Sequence, residues 1–141
     1  KELLKKDCFL SLKLIKDYVN ALCSKHKLEY KDCFIIGFSQ GAMMSFEFGK
    51  YVDDLIGGCV LLSGRILPSD KHKKKNFVKT PILIIHGDQD TVLEPKYFYE
   101  ACDVLKNCNF SFDSYLIKDE GHTITSDILN LTKNFIKKHI T

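Results

Sequence analysis

The chain has 141 residues, of which 45% are hydrophobic and 28% charged, with a formal net charge of +3 and a pI near 8.5. This length and composition predict one globular domain over residues 1–141 with its own hydrophobic core. The charge is too small to indicate nucleic-acid binding, and no RNA or DNA motif accompanies it. No apolar run approaches the roughly 20 residues of a membrane-spanning helix, and the first residues do not resemble a signal peptide.

Residues 1–28 are predicted to form one amphipathic helix, because apolar residues recur there at three- and four-residue steps. These apolar positions are Leu4, Cys8, Leu12, Ile15, Val19 and Leu22. A short strand over 33–37 and a helix over 39–51 follow. Residues 55–63 are apolar without alternation, which is typical of a central parallel strand that is covered on both faces.

A loop over 64–79 contains the basic run Lys71-His72-Lys73-Lys74-Lys75, which we interpret as solvent-exposed. The alternative is a basic lip that attracts acidic surfaces or anionic lipid head groups. The remaining predicted elements are a strand over 81–86, a helix after Pro95, a strand over 110–117 and a helix over about 123–139. Buried strands that alternate with helices predict the α/β fold class, with a mostly parallel sheet flanked by helices on both faces.

The six cysteines show neither a C-x-x-C motif nor a regular spacing, and several lie in apolar segments: Cys8, Cys23, Cys33, Cys59, Cys102 and Cys108. We interpret them as reduced core thiols, which are typical of intracellular proteins, and therefore predict a cytoplasmic location. A disulfide framework or a zinc site is the alternative.

The segment Gly37-Phe38-Ser39-Gln40-Gly41 joins the strand over 33–37 to the helix over 39–51. A strand, a G-x-S-x-G sequence and a helix together are typical of the turn that presents a nucleophilic serine. Such a turn has a strained backbone, and we expect Gly37 and Gly41 to avoid Cβ atoms that would collide there. The turn also directs the N–H of Gln40 towards the oxygen of a reacting carbonyl group. The alternative is a serine that only caps a helix.

Asp90 and His122 each lie in a loop after a predicted strand, as Ser39 does. Because function in such sheets lies at the C-terminal ends of the strands, these three residues are expected on the same rim. The histidine would take the proton of the attacking serine, and the carboxylate would hold the histidine tautomer and stabilise the imidazolium. The chain order of serine, acid and histidine is the order of α/β-hydrolases.

Each of these assignments has an alternative. Asp90 competes with Asp88 for the role of the acid, and both are candidates for simple turn residues. His122 competes with four other histidines for the role of the base: His26, His72, His86 and His139. A metal site formed by His86, Asp88 and Asp90 would lack further ligands, so we predict no metal.

Four segments resemble the phospholipase/carboxylesterase family of α/β-hydrolases, which includes the acyl-protein thioesterases. They are Gly37–Ala42, Leu62-Ser63-Gly64 with Leu67-Pro68, His86–Asp90 followed by Val92 and Pro95, and Gly121-His122. The resemblance extends over essentially the whole chain. It implies an α/β-hydrolase fold and a set of site residues: Ser39 as nucleophile, Asp90 as acid, His122 as base, the N–H of Gln40 as one oxyanion donor and Leu67 in an acyl pocket.

The resemblance also implies hydrolysis of carboxylic ester or thioester bonds through an acyl-enzyme, without metal or cofactor, on a small-molecule or lipid acyl substrate. Peptidase or lactone hydrolase activity on the same fold is an alternative, because fold does not determine substrate.

Only the C-terminal two-thirds of the family domain is matched, since the N-terminal strands and the H-G loop that gives the second oxyanion donor are absent. We therefore expect a truncated or partial copy of a longer hydrolase. Its strand over 33–37 would be an exposed apolar edge through which the chain could form a homo-oligomer. The alternative to an enzyme is a non-catalytic remnant or interaction module.

Overall fold

The computed structural model describes residues 2–67, 69, 72 and 77–140, the first four of these by their backbone alone. The lysines of the predicted basic lip over 71–75 lie outside the described residues, and so does Pro68. The elements in chain order are α1 (Glu2–His26), β1 (Phe34–Phe38), α2 (Gln40–Tyr51), β2 (Gly58–Leu62), β3 (Ile82–Gly87), α3 (Lys96–Asn107), β4 (Phe112–Ile117) and α4 (Ser126–His139). This order is the predicted one.

Within the described residues, four strands form one sheet in the order β1-β2-β3-β4, and every neighbouring pair is parallel. The predicted α/β class and mostly parallel sheet are confirmed. Because all strands point the same way, their C-terminal ends meet at one rim, and the loops after β1, β3 and β4 begin there. β1 pairs only with β2 among these strands, so it is an edge strand.

Helices cover both faces of the sheet, but unequally. Side chains alternate between the two faces along each strand. In β2, Cys59 and Leu61 pack into a core with α1, α2 and α3, whereas Val60 and Leu62 pack into a second core with α4. Buried apolar residues on both faces explain why β2 and β3 show no polar alternation in the sequence.

Two predicted details of the helices are wrong. Leu22 was expected on the inner stripe of α1, but it is exposed, and the next residue, Cys23, is buried instead. The buried stripe steps by four residues from Val19 to Cys23, which packs into the same core with its Sγ 3.5 Å from Sγ of Cys33. The last helix begins at Ser126 rather than near 123, since the side chain of Thr125 accepts the N–H of Ile128 and caps the helix.

The turn between β1 and α2 is built around one strained residue and one crowded glycine. Ser39 has φ 57° and ψ −118°, a conformation that costs free energy for any residue with a side chain. A Cβ atom at Gly37 would lie 1.9 Å from the carbonyl oxygen of Gly41, so only glycine fits at this position. A Cβ atom at Gly41 would meet nothing within 4 Å. The expectation of a collision at Gly41 is therefore wrong.

We predict that substitution by alanine is strongly destabilising at Gly37 and nearly neutral at Gly41. Gly37→Ala should lower the free energy of unfolding by about 3 kcal/mol or more, because the new methyl group collides with backbone that cannot move alone. Gly41→Ala should change it by less than about 1 kcal/mol, because alanine is a better helix former and has room. Urea unfolding followed by far-UV circular dichroism compares both variants, and equal losses would contradict this account of the turn.

Candidate active site

Ser39 is held at the rim by the neighbouring strand and its loop. Its N–H donates to the carbonyl oxygen of Leu62, the last residue of β2, at 2.8 Å. The chain then passes so close that a Cβ atom at Gly64 would lie 2.3 Å from the Cβ of Ala42 and 3.0 Å from the Ser39 carbonyl oxygen. This packing fixes the position of the Ser39 hydroxyl above the sheet.

The carboxylate of Asp90 is buried in the loop after β3, with an exposed fraction of 2%. Its Oδ1 accepts the N–H groups of Val92 at 3.0 Å and Leu93 at 2.8 Å, and its Oδ2 lies 2.7 Å from Nδ1 of His122. Burial raises the pKa of Asp90, but these hydrogen bonds favour the charged form more strongly, and the net pKa lies below its usual value. Asp90 is therefore ionised at neutral pH.

His122 links Asp90 to Ser39. Its Nδ1 faces Oδ2 of Asp90, and its Nε2 lies 3.1 Å from Oγ of Ser39. Because an ionised carboxylate only accepts hydrogen bonds, Nδ1 carries the hydrogen in the neutral ring and the Nε2 lone pair accepts the Ser39 hydroxyl. The ring also packs against Phe38 with their centres 4.7 Å apart. The structure thus brings all three predicted residues into one hydrogen-bonded series.

Asp88, the alternative acid, contacts neither Ser39 nor His122 within the described residues. Its Oδ1 accepts the N–H of Asp119 at 2.7 Å, which ties the loop after β3 to the loop that carries His122. The N–H of Gln89 donates to the carbonyl oxygen of Glu120 at 2.8 Å and strengthens the same link. Asp88 therefore positions a loop.

His86 has a contact that sequence reasoning missed. It is fully buried, and its Nε2 lies 2.8 Å from the carbonyl oxygen of Leu93 and 3.4 Å from Oδ2 of Asp90. Both partners are acceptors, so Nε2 carries a hydrogen, while the buried Nδ1 has no hydrogen-bond partner among the described residues. The imidazole of His86 thus supports the Asp90 turn through Oδ2, the oxygen that also contacts His122. Its place at the end of a buried strand, directly before that turn, was the only signal in the sequence.

The other three histidines lie away from Ser39. His72 is buried, donates from Nε2 to the carbonyl oxygen of Leu67 and lies with Nδ1 3.3 Å from Nζ of Lys50. Burial lowers the pKa of His72. His26 and His139 end α1 and α4.

Gln40 and Leu67 differ in how well the structure suits their expected roles. Gln40 is the first residue of α2, so its N–H lacks a partner within the helix and lies beside Ser39. Leu67 is about half exposed and contributes its carbonyl oxygen to His72, so its place in an acyl pocket stays a prediction.

The described ranges contain neither a metal-binding cluster nor a membrane-spanning helix. There, no three histidine, cysteine or acidic side chains are grouped so that they could bind a metal ion. No helix in these ranges combines the length and the hydropathy needed to span a membrane. All six cysteines are free thiols.

Comparison with solved structures shows the α/β-hydrolase fold. SOBER1 of Arabidopsis thaliana superimposes with a TM-score of 0.86 at 21% identity, over 95% of this chain and 65% of that one. Esterase PE8 superimposes with a TM-score of 0.84 at 26% identity, over 94% of this chain and 62% of that one. The fold prediction is confirmed by these neighbours.

Curated relatives are similar in sequence. Acyl-protein thioesterase 1 homolog 1 of Dictyostelium discoideum is 29% identical over 130 residues, which cover 91% of this chain and 58% of that protein. Acyl-protein thioesterase 1 of Saccharomyces cerevisiae is 36% identical over 115 residues, 74% of this chain and 48% of that protein. This chain thus spans about half to three fifths of these relatives. The phospholipase/carboxylesterase family model matches residues 5–140, so the chain belongs to that family of α/β-hydrolases.

Proposed function

We propose that this protein is a serine hydrolase that cleaves carboxylic ester or thioester bonds. The observation that supports this most strongly is the series of contacts from Asp90 through His122 to Ser39, at 2.7 Å and 3.1 Å. These lengths suit proton transfer between a serine hydroxyl and an imidazole base. Membership of the phospholipase/carboxylesterase family supports the same class of reaction.

In the proposed reaction, Oγ of Ser39 attacks the acyl carbon while its proton passes to Nε2 of His122. The tetrahedral intermediate then collapses, and His122 gives that proton to the departing alcohol or thiol. A water molecule attacks the acyl-serine in the same way, with His122 again as base, and releases the carboxylic acid. Asp90 stays ionised throughout and stabilises the imidazolium.

The negative charge on the former carbonyl oxygen requires hydrogen-bond donors. We assign the N–H of Gln40 as one donor, because it lies next to Ser39 at the N-terminal end of α2, where the helix dipole favours an anion. Loss of one such donor typically reduces the rate by about 10²–10³-fold. This chain spans only part of its relatives' length. Its rate therefore depends on which group supplies the second hydrogen-bond donor to the oxyanion.

The proposal also covers the substrate, the acyl pocket, the absence of a cofactor and the cellular location. The substrate is a small-molecule or lipid acyl ester or thioester, Leu67 contributes to the acyl pocket, and the reaction needs no metal or cofactor. A cytoplasmic location is proposed on the support of the six free cysteines.

We predict that a fluorophosphonate adds once to the intact chain, because the activated hydroxyl of Ser39 attacks its phosphorus. Intact-mass spectrometry should find one adduct on the parent chain and none on Ser39→Ala. A matched control is Ser24→Ala, which removes an exposed serine hydroxyl from α1 and should label as the parent does.

Asp90→Asn should slow this labelling by about 10³-fold or more, because an amide does not stabilise the imidazolium as a carboxylate does. A folded parent chain that gains no adduct, or an adduct that survives in Ser39→Ala, would contradict the proposed mechanism.

The second candidate function is an interaction module that associates through its sheet edge. The observations in favour are exposed apolar side chains. Ile36 on the edge strand β1 is 50% exposed, and Leu10, Leu14 and Tyr18 are exposed on α1, which covers the other face of the sheet. An unpaired strand edge of this kind is a template for pairing with another chain.

If the edge mediates association, light scattering after size-exclusion chromatography should show a dimer at micromolar concentration that Ile36→Lys converts to monomer. Leu129→Lys, which changes an equally exposed leucine on α4, should leave the dimer intact. A monomeric parent that labels with fluorophosphonate would rule out this candidate.

A further inference from the structure

The positive charges of this chain are almost all lysines. The sequence contains twenty lysines and a single arginine, Arg65. Arg65 directly follows Gly64, whose backbone packs so tightly on the Ser39 turn that an added Cβ would lie 3.0 Å from the Ser39 carbonyl oxygen. It also follows the C-terminal end of β2, between the loops that carry Ser39 and Asp90. The one arginine therefore lies on the rim of the candidate active site.

A tyrosine holds this arginine in place. The central carbon of the Arg65 guanidinium is 4.3 Å from the centre of the Tyr97 ring, and Nζ of Lys96 is 5.1 Å from the same centre. Lys96 and Tyr97 are the first two residues of α3, which begins shortly after the Asp90 turn. Two cations and the positive end of a helix thus converge on one ring at the rim.

No acidic side chain in the described part of the chain forms an ion pair with Arg65 or Lys96. The Nε of Arg65 is buried and has no hydrogen-bond partner there. Buried donors are nearly always paired, and like charges held at one ring repel each other. The described acidic side chains therefore do not neutralise this local positive charge.

The chemistry of the guanidinium indicates what would neutralise it. Arginine presents several N–H donors in one plane, which match two oxygens of a carboxylate or a phosphate, and stacking on an aromatic ring keeps that plane fixed. Lysine offers only a point charge and would not be oriented by Tyr97 in the same way. A fixed guanidinium on the same rim as Ser39 is suited to orienting a substrate.

We propose that Arg65, stacked on Tyr97 and assisted by Lys96, forms a subsite for an anionic group, a carboxylate or a phosphate, of the acyl substrate. This inference rests on the proposed hydrolase function and narrows its substrate class to esters or thioesters that carry such a group near the scissile bond. The anion lies on Arg65 while the acyl carbon lies against Oγ of Ser39.

Binding can be measured without turnover in the Ser39→Ala chain, which lacks the proposed nucleophile for these esters. The single arginine gives a single side-chain Nε–H resonance when this chain is ¹⁵N-labelled. We expect this resonance to shift and saturate with monomethyl succinate or methyl phosphate. It should not respond to dimethyl succinate, the neutral counterpart. Lys96→Gln should weaken the binding of either anion, whereas Lys79→Gln, at an exposed lysine outside this group, should not.

Comparison of the two anions distinguishes a carboxylate from a phosphate as the group that the subsite binds. A response to monomethyl succinate alone assigns a carboxylate-bearing substrate, and a response to methyl phosphate alone assigns a phosphate-bearing one. No response to either anion, or an equal response to dimethyl succinate, overturns the subsite.

Turnover provides the second test. The ratio of kcat/KM for 4-nitrophenyl hydrogen succinate to that for 4-nitrophenyl butyrate should fall about 10-fold or more in Arg65→Gln, because a charge-assisted hydrogen bond to the anionic ester is lost. Lys79→Gln should leave the ratio unchanged. An unchanged ratio in Arg65→Gln contradicts the subsite while fluorophosphonate labelling of the parent still supports the hydrolase. Absent labelling contradicts the hydrolase, and the Nε–H titration then still decides whether the anion binds.

Discussion

The buried carboxylate of Asp90 is the group on which the rest of the site depends. An ionised carboxylate is costly to bury unless hydrogen bonds compensate for the lost water. Here the backbone N–H groups of Val92 and Leu93 donate to the carboxylate. The imidazoles of His122 and His86 lie beside its other oxygen. Burial raises the pKa of Asp90, but the hydrogen bonds from Leu93, His122 and Val92 keep it below its usual value. The hydrogen bond with His122 also orients that ring towards Ser39. One buried charge thus links the loop after β3 to the loop after β4 and to the β1–α2 turn.

The parallel sheet makes this arrangement possible over a sequence separation of 83 residues. All four strands end at one rim, so three loops that are distant in sequence meet there. The loops are then fixed by backbone contacts: Gly37 lets β1 and α2 approach, and Asp88 joins the two loops that carry Asp90 and His122. The site is therefore supported mainly by close backbone packing and buried hydrogen bonds, with few flexible side chains involved.

Much of this architecture could be predicted from the sequence, because it depends on local patterns. Apolar runs indicated the buried strands, and the G-x-S-x-G segment indicated the turn that carries Ser39. The errors have a physical cause. The collision at the turn arises at Gly37 and not at Gly41, and Cys23 is buried in place of Leu22 because its side chain packs against Cys33.

Contacts between distant loops could not be predicted in the same way. The stacking of Arg65 on Tyr97 arises only when the loops after β2 and β3 are brought together. The contact between His86 and Asp90 spans only four residues, but it depends on how the turn after β3 folds. Nothing in the local sequence around Arg65 indicates its partner 32 residues further along. Side chains that contact each other are found at fixed sequence spacings within a helix, but not between separate loops. Sequence reasoning thus predicted the three residues that the structure brings together and missed the contacts that surround them.

We infer that Asp90 sets the tautomer of His122 so that its Nε2 can accept the proton of Ser39. The most direct measurement is the ¹⁵N chemical shift of each His122 ring nitrogen at alkaline pH, where the ring is neutral, in the parent chain and in Asp90→Asn. The account predicts that Nδ1 carries the hydrogen in the parent and that this preference is reduced in the variant. A hydrogen on Nε2 of the parent would leave no base for Ser39 and would contradict the account.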